Sequence, residues 1–197
     1  MGIAERKGRE RAEREQRIVA AARVIAERDG WDAVTIRRLA EEIEYSQPVL
    51  YSHFENRDAI VAAVAVEGFK DIAAALRTAA SESPGRRKAL ENVALAYLAF
   101  ALDRPALYEA MFVLPTNLRF AEADTRPELQ AAFEALAAVV KPFCVDVAAV
   151  TETFWAALHG LTELERSGRI RPTARGARVA LVVRSIAGSG SSARARG

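Results

Sequence analysis

Cysteine is nearly absent from this chain. Cys144 is the only one, so no intramolecular disulfide can form and a reducing compartment is the expected setting. Two histidines and one cysteine are too few for an ordinary zinc site, and no metal is expected. The eleven glycines are scattered, with neither the phosphate-cradling P-loop pattern nor the dinucleotide fingerprint, so no nucleotide cofactor is expected either. Glu163 and Glu165 stand two apart, on different faces of any helix, and do not make a catalytic carboxylate pair. Long apolar runs are missing, and the N-terminus opens on charge rather than on an apolar leader. These absences point away from an enzyme and towards a cytoplasmic protein with no cofactor and no membrane partner.

Charge of one sign is also missing in sum: the net charge of +2 is too small to identify a nucleic-acid partner. Its distribution is more telling. Acidic residues stop at Glu165, after which Arg166, Arg169, Arg171, Arg175, Arg178, Arg184, Arg194 and Arg196 follow unopposed. An N-terminal arm, residues 1–13, is mildly basic. Either end is suited to an anionic polymer or simply to water.

What the chain does have is apolar residues, 51% of the total, arranged at helical period. No segment shows the strict alternation of a half-buried strand. The expectation is an all-α fold of about nine helices, with an N-terminal helix-turn-helix domain over 1–60, a helical regulatory and dimerisation domain over 61–187, and a disordered tail over 188–197.

The first helix is expected from about Glu10 to Asp29, with Ile18, Ala22 and Ile25 on one face and Gly30 as its stop. Thr35 is placed to cap a short helix whose inner face is Ile36, Leu39, Ala40 and Ile43. After Glu44-Tyr45, Ser46 can cap a second short helix with Pro48 in its first turn and Leu50 and Phe54 inward. Asn56 opens a long helix that ends in the Ser81 to Gly85 breakers. Further helices are expected from Leu90 to Ala101, from Pro105 to Phe112, from Pro127, from Ala148 to Arg166 and from Thr173 to Ala187. Thr125-Arg126-Pro127-Glu128 reads as a capping box with a first-turn proline.

Two short helices joined by a tight turn, braced by longer ones, are the physical requirement for a helix that enters the major groove while its predecessor lies across the backbone. On the second of them Gln47 offers an amide able to pair with adenine, and Pro48 and Val49 offer apolar contact to a thymine methyl. Tyr51, Ser52, His53, Thr35, Arg37 and Arg57 are candidates for phosphate contact. Three of them have an alternative: Thr35 as a cap, Tyr51 as packing, His53 as a packed or capping ring.

The segments Thr35-Ile36-Arg37-Arg38-Leu39-Ala40, Ser46-Gln47-Pro48-Val49-Leu50-Tyr51-Ser52-His53-Phe54 and Asn56-Arg57-Asp58-Ala59-Ile60 resemble the DNA-binding signature of the TetR family, over roughly residues 14 to 62. Trp155-Ala156-Ala157-Leu158-His159-Gly160 resembles the tryptophan-histidine-glycine motif of one subset of that family's regulatory domains. The chain departs from the pattern at Glu44, where a turn glycine is common, and at Arg57, where a lysine is usual.

The resemblance implies a homodimeric regulator of operator DNA, a repressor released by a small-molecule effector. It implies dimerisation through the last two helices, with Trp155, Leu158, Gly160, Leu161, Leu181 and Val182 at the interface. It places an effector among the middle helices, where Phe69, Tyr97, Phe100, Tyr108, Met111, Phe112, Phe133, Phe143 and His159 are candidate linings. Two other readings stay open at this point: a constitutive or architectural DNA-binding protein without an effector, and a helical enzyme or partner-binding module.

Overall fold

The computed structural model describes residues 2–120, 122 and 125–194. Among these there are nine α-helices and no strand: α1 (Ile3–Asp29), α2 (Ile36–Glu42), α3 (Gln47–His53), α4 (Arg57–Ser81), α5 (Arg86–Asp103), α6 (Pro105–Phe112), α7 (Pro127–Val140), α8 (Val147–Arg166) and α9 (Arg175–Arg194). The all-α expectation holds.

The chain forms two compact units, divided otherwise than at residue 60. The first joins Met1–Gly68 to Arg104–Glu122; the second gathers Phe69–Asp103 with the described residues from 125 onward. Helix α6, expected in the regulatory domain, therefore belongs with the N-terminal unit.

In the first unit α1 packs against α2, α3 and α6. Ile18, Ala22 and Ile25 of α1, Leu39 of α2, Leu50 of α3 and Ile60 and Val64 of α4 are buried together with Val34. Burying each large aliphatic side chain contributes roughly 1.5–3 kcal/mol, so this small core holds two short helices that could not persist alone. Helix α6 is held from α1: Glu27 accepts the N–H groups of Ala106 at 3.1 Å and Leu107 at 2.9 Å, and the Trp31 indole donates to the Ala106 carbonyl at 2.8 Å. Gly68 of α4 faces Met111, and a Cβ there would stand 2.5 Å from its sulfur.

In the second unit α5 packs against α7, α8 and α9, and α8 also against α7 and α9. Leu90, Val93, Ala94, Leu98, Phe154 and Leu158 are buried here. The α8–α9 junction carries a buried ion cluster in which Arg175 and Arg178 both donate to Glu165, Arg178 at 2.7 Å. The hydrogen bond from Arg175 is the main cause that holds the Glu165 carboxyl below its ordinary pKa, against the opposing effect of burial.

Helix ends differ from expectation in four places, each for a local reason. Helix α1 starts at Ile3 rather than near Glu10, with Glu5 accepting the Gly2 N–H at 2.8 Å. Ser46 makes no side-chain cap: Pro48 has no N–H to give, and the Val49 N–H turns to the Ser46 carbonyl at 3.0 Å. The capping box at α7 does not form, because the residue before a proline avoids the helical region. Arg126 thus becomes the N-cap, and Glu128 lies instead 3.9 Å from Lys70. Helix α9 begins after a short 3-10 turn, Pro172–Ala174, and runs on through 188–194, where composition suggested a disordered tail. Extending an existing helix needs no new nucleus. Residues 195–197 lie outside the described set.

Candidate nucleic-acid interface

The site begins with Thr35, whose Oγ1 accepts the Arg38 N–H at 3.1 Å and so fixes the start of α2. Leu39 and Ala40 then turn inward and leave Arg37 outward, its side chain 79% exposed and 2.9 Å from Glu41. At the turn Glu44 takes a φ of +57°, the left-handed conformation for which glycine is the usual choice. The Tyr45 N–H closes the turn onto the Ala40 carbonyl at 2.9 Å. Glu44, where the resemblance leads one to expect a turn glycine, thus makes this bend in a conformation that L side chains rarely adopt.

Leu50 anchors α3 from below, with no exposed surface. That sets the rest of the helix: Gln47, Pro48, Tyr51 and Ser52 are exposed, and Val49 is half-buried. The Tyr51 ring is 55% exposed, which no core role explains. Ser52 spends its hydroxyl proton on the Val49 carbonyl at 2.7 Å, leaving its lone pairs outward.

Two of the candidate phosphate ligands are committed to the protein. His53 Nδ1 lies 3.3 Å from Glu15 and its side chain is only 5% exposed. Arg57 donates from Nε to the Val34 carbonyl at 2.9 Å and from Nη2 to the Trp31 carbonyl at 2.7 Å. Both side chains brace the short helices from α1 and α4.

Several supporting contacts escape sequence reasoning. Arg17 donates to the Tyr45 hydroxyl at 3.1 Å with its guanidinium 5.4 Å from that ring, and Arg38 pairs with Asp29. These contacts join residues 28 and 9 apart in the chain, beyond the reach of helical spacing.

The expected effector lining is divided between the units. Tyr108, Met111 and Phe112 belong to the first, where the Tyr108 and Phe112 rings stand 4.7 Å apart. Phe69, Tyr97, Phe100, Phe133, Phe143 and His159 belong to the second. There the Trp155 indole donates to the Tyr97 hydroxyl at 3.0 Å. Burial lowers the His159 pKa, which favours a neutral ring.

Of the residues expected to meet a second copy, Leu158 is fully buried within its own unit, and Trp155 turns to Tyr97. Leu181 is 59% exposed. Gly160, Leu161 and Val182 are partly exposed, and a Cβ built on Gly160 meets nothing within 4 Å.

Among the described residues no helix is long and apolar enough to cross a membrane. No group of three potential ligands there could hold a metal ion.

Comparison with known proteins agrees with this geometry. Residues 18–64 match the model of bacterial regulatory proteins of the tetR family, and residues 90–186 match a tetracyclin repressor-like C-terminal domain. The chain is 31% identical over 159 residues to Rv0681, an uncharacterised HTH-type transcriptional regulator of Mycobacterium tuberculosis, covering 77% of this chain and 69% of that one. A Rhodococcus protein of unknown function shares the fold with a TM-score of 0.72 at 24% identity, over 87% of this chain and 92% of its own. So does the transcriptional regulator FadR of Bacillus subtilis, solved in complex with stearoyl-CoA, with a TM-score of 0.64 at 12% identity over 88% and 98%. An exposed α3 face on a buried Leu50 anchor, a capped α2 and two matching domains lead to one conclusion: this chain belongs to the TetR family and is a DNA-binding transcriptional regulator rather than an enzyme.

Proposed function

We propose that the chain is a homodimeric repressor that reads its operator through the exposed face of α3 and is released by a small-molecule effector held in the second unit. The observation that carries the DNA half is the outward set Gln47, Pro48, Tyr51 and Ser52 above a fully buried Leu50. Gln47 and Pro48, in the first turn, are the base-reading groups, helped by the half-exposed Val49; Tyr51, Ser52 and Arg37 hold phosphates. Thr35 contributes as a cap whose hydroxyl stays at the surface, whereas His53 and Arg57 act by bracing.

Dimerisation uses the outer faces of α8 and α9. Gly160, Leu161 and Leu164 share one stripe of α8, and Leu181 with Val182 faces outward on α9; the open space over Gly160 suits the close approach of a partner helix. The effector half rests on the polar pair of Trp155 and Tyr97 inside the second unit and on the fold shared with a FadR that holds stearoyl-CoA.

A binding titration separates the roles. Tyr51→Ala should weaken binding to every DNA sequence, while Gln47→Ala should relax preference at one or two operator positions at about 1–3 kcal/mol. Unchanged preference in the Gln47 variant would remove that residue from base reading. For the effector, a compound that raises the melting midpoint must also lower operator affinity.

A further inference from the structure

The first three turns of α1 do not belong to any core. The described side chains before Glu15 are all exposed, whereas Ile18, Ala22 and Ile25 further along the same helix are completely buried. At 1.5 Å per residue the stretch from Ile3 to Glu15 projects about 18 Å. Such a length of unpacked helix gains little for folding, so its charge pattern calls for another use.

Three of the five cations before Glu15 form one row, with Arg6 and Arg9 elsewhere around the helix. Lys7, Arg11, Arg14 and Ile18 follow at i, i+4, i+7 and i+11 and share one face. The stripe that enters the core at Ile18 thus continues outward as a row of cations. Glu13 lies around the helix from it, and Glu10 stands at one edge, three residues from Lys7 and four from Arg14, 3.6 Å from Arg6. Glu15 sits at the row's edge, where it is paired with Arg11 at 2.9 Å and faces His53. Lys7 and Arg14 have no partner among the described contacts.

The row is also held beside the DNA-reading helix. Arg11 Nη2 donates to the Ser52 carbonyl at 3.4 Å, and Glu15 meets His53 Nδ1 at 3.3 Å; both partners are in the last turn of α3. One turn further along α1, Arg17 grips Tyr45 in the turn before α3. The arm therefore leaves the unit next to α3 with its cationic face continuous with the proposed DNA face.

Resting on the DNA-binding reading above, we infer that the N-terminal turns of α1 are a second phosphate-binding element, in which Lys7 and Arg14 neutralise backbone phosphates flanking the stretch read by α3. Such contacts carry no sequence information and act through released counterions. The arm lengthens the footprint and raises affinity for any duplex, operator or not.

The test uses the full-length parent and a Lys7→Ala/Arg14→Ala variant, titrated by fluorescence anisotropy from 50 to 300 mM salt. The probes are a duplex selected by the parent from random DNA and a scrambled duplex of equal length. Each protomer loses two phosphate contacts, four for the homodimer, so the plot of log affinity against log salt should become shallower by about 3.6, with binding weakened roughly tenfold per contact at 0.1 M salt. Both duplexes should be affected alike, so their affinity ratio stays constant. Far-UV dichroism and the melting midpoint should match the parent. A variant with parental slope and intact fold overturns the inference and leaves the DNA-binding reading standing. A changed ratio between the duplexes would make these residues sequence readers and overturn the inference too. A parent that binds neither duplex refutes both. Lys7→Glu, a single exposed change, should weaken binding further at low salt than Lys7→Ala; equal affinities would likewise contradict a phosphate contact.

Discussion

Arg57, in the first turn of α4, donates to the backbone carbonyl of Val34, the residue just before the cap of α2, at 2.9 Å. A second bond to Trp31 makes the guanidinium a clamp between the loop before α2 and the helix after α3. Lysine, usual here in the family, cannot span two carbonyls with a planar fork.

Arg57→Ala should therefore cost about 2–3 kcal/mol of stability, less than the full sum of two charge-assisted bonds because the side chain is partly exposed, and lower the melting midpoint of the first unit. Arg57→Lys should recover less than half of that. DNA affinity should fall with little change of salt slope, as befits a brace. A slope reduced by about 1.8, one contact from each protomer of the dimer, with stability intact, would instead mark a direct phosphate contact.

Glu44 holds the turn at a φ of +57°. Glu44→Gly should stabilise the protein by about 1 kcal/mol, because glycine occupies that region without the Cβ clash. Chemical denaturation should show a higher midpoint and an unchanged slope. Destabilisation would mean that the Glu44 side chain holds the turn through a contact of its own.

Glu27 caps α6 from 79 residues away, with both oxygens on the N–H groups of Ala106 and Leu107. Glu27→Ala should cost about 1–2 kcal/mol, the range for losing a cap at a helix N-terminus. Hydrogen exchange should show faster amides in α6, while α7 to α9 stay as protected as before. Uniform loss of protection would contradict a local cap.

Glu165 is lowered in pKa by Arg175 and Arg178 in the folded chain. Its stabilising effect is complete above the ordinary carboxylate pKa of about 4.3 and disappears as pH falls through that value towards the lower folded one. Glu165→Gln should thus lose about 2–3 kcal/mol at pH 7, allowing for the partial exposure of both arginines, and much less near pH 3. Melting curves at the two pH values check this; equal losses would show that charge is not the cause.

The parts of the fold that local chemistry dictates were legible in the sequence. The Thr35 cap, the Asn56 cap on the Ala59 N–H at 2.9 Å, the Gly30 stop and the inward Leu39 and Leu50 all follow from near neighbours. So did the outward Gln47, Pro48 and Tyr51. What escaped was set by residues distant in sequence: Arg57 turning to Val34, His53 to Glu15, and α6 joining the first unit through Glu27 and Trp31. Ser46 and Thr125 misled because a neighbouring proline removed a donor in one case and shifted the helix start in the other. The N-terminal arm was legible only as mildly basic, since nothing local shows that Arg11 and Glu15 reach α3.

The most direct measurement of the central claim is selection of duplexes from random DNA by the purified full-length protein, followed by sequencing. A dimer reading DNA through α3 predicts enrichment of an inverted repeat whose half-sites are centred one helical turn apart, about 34–36 Å, or a multiple of it. Gln47→Ala should blur one or two positions in each half. Recovery of no enriched sequence, or of a single unrepeated motif, would contradict the account.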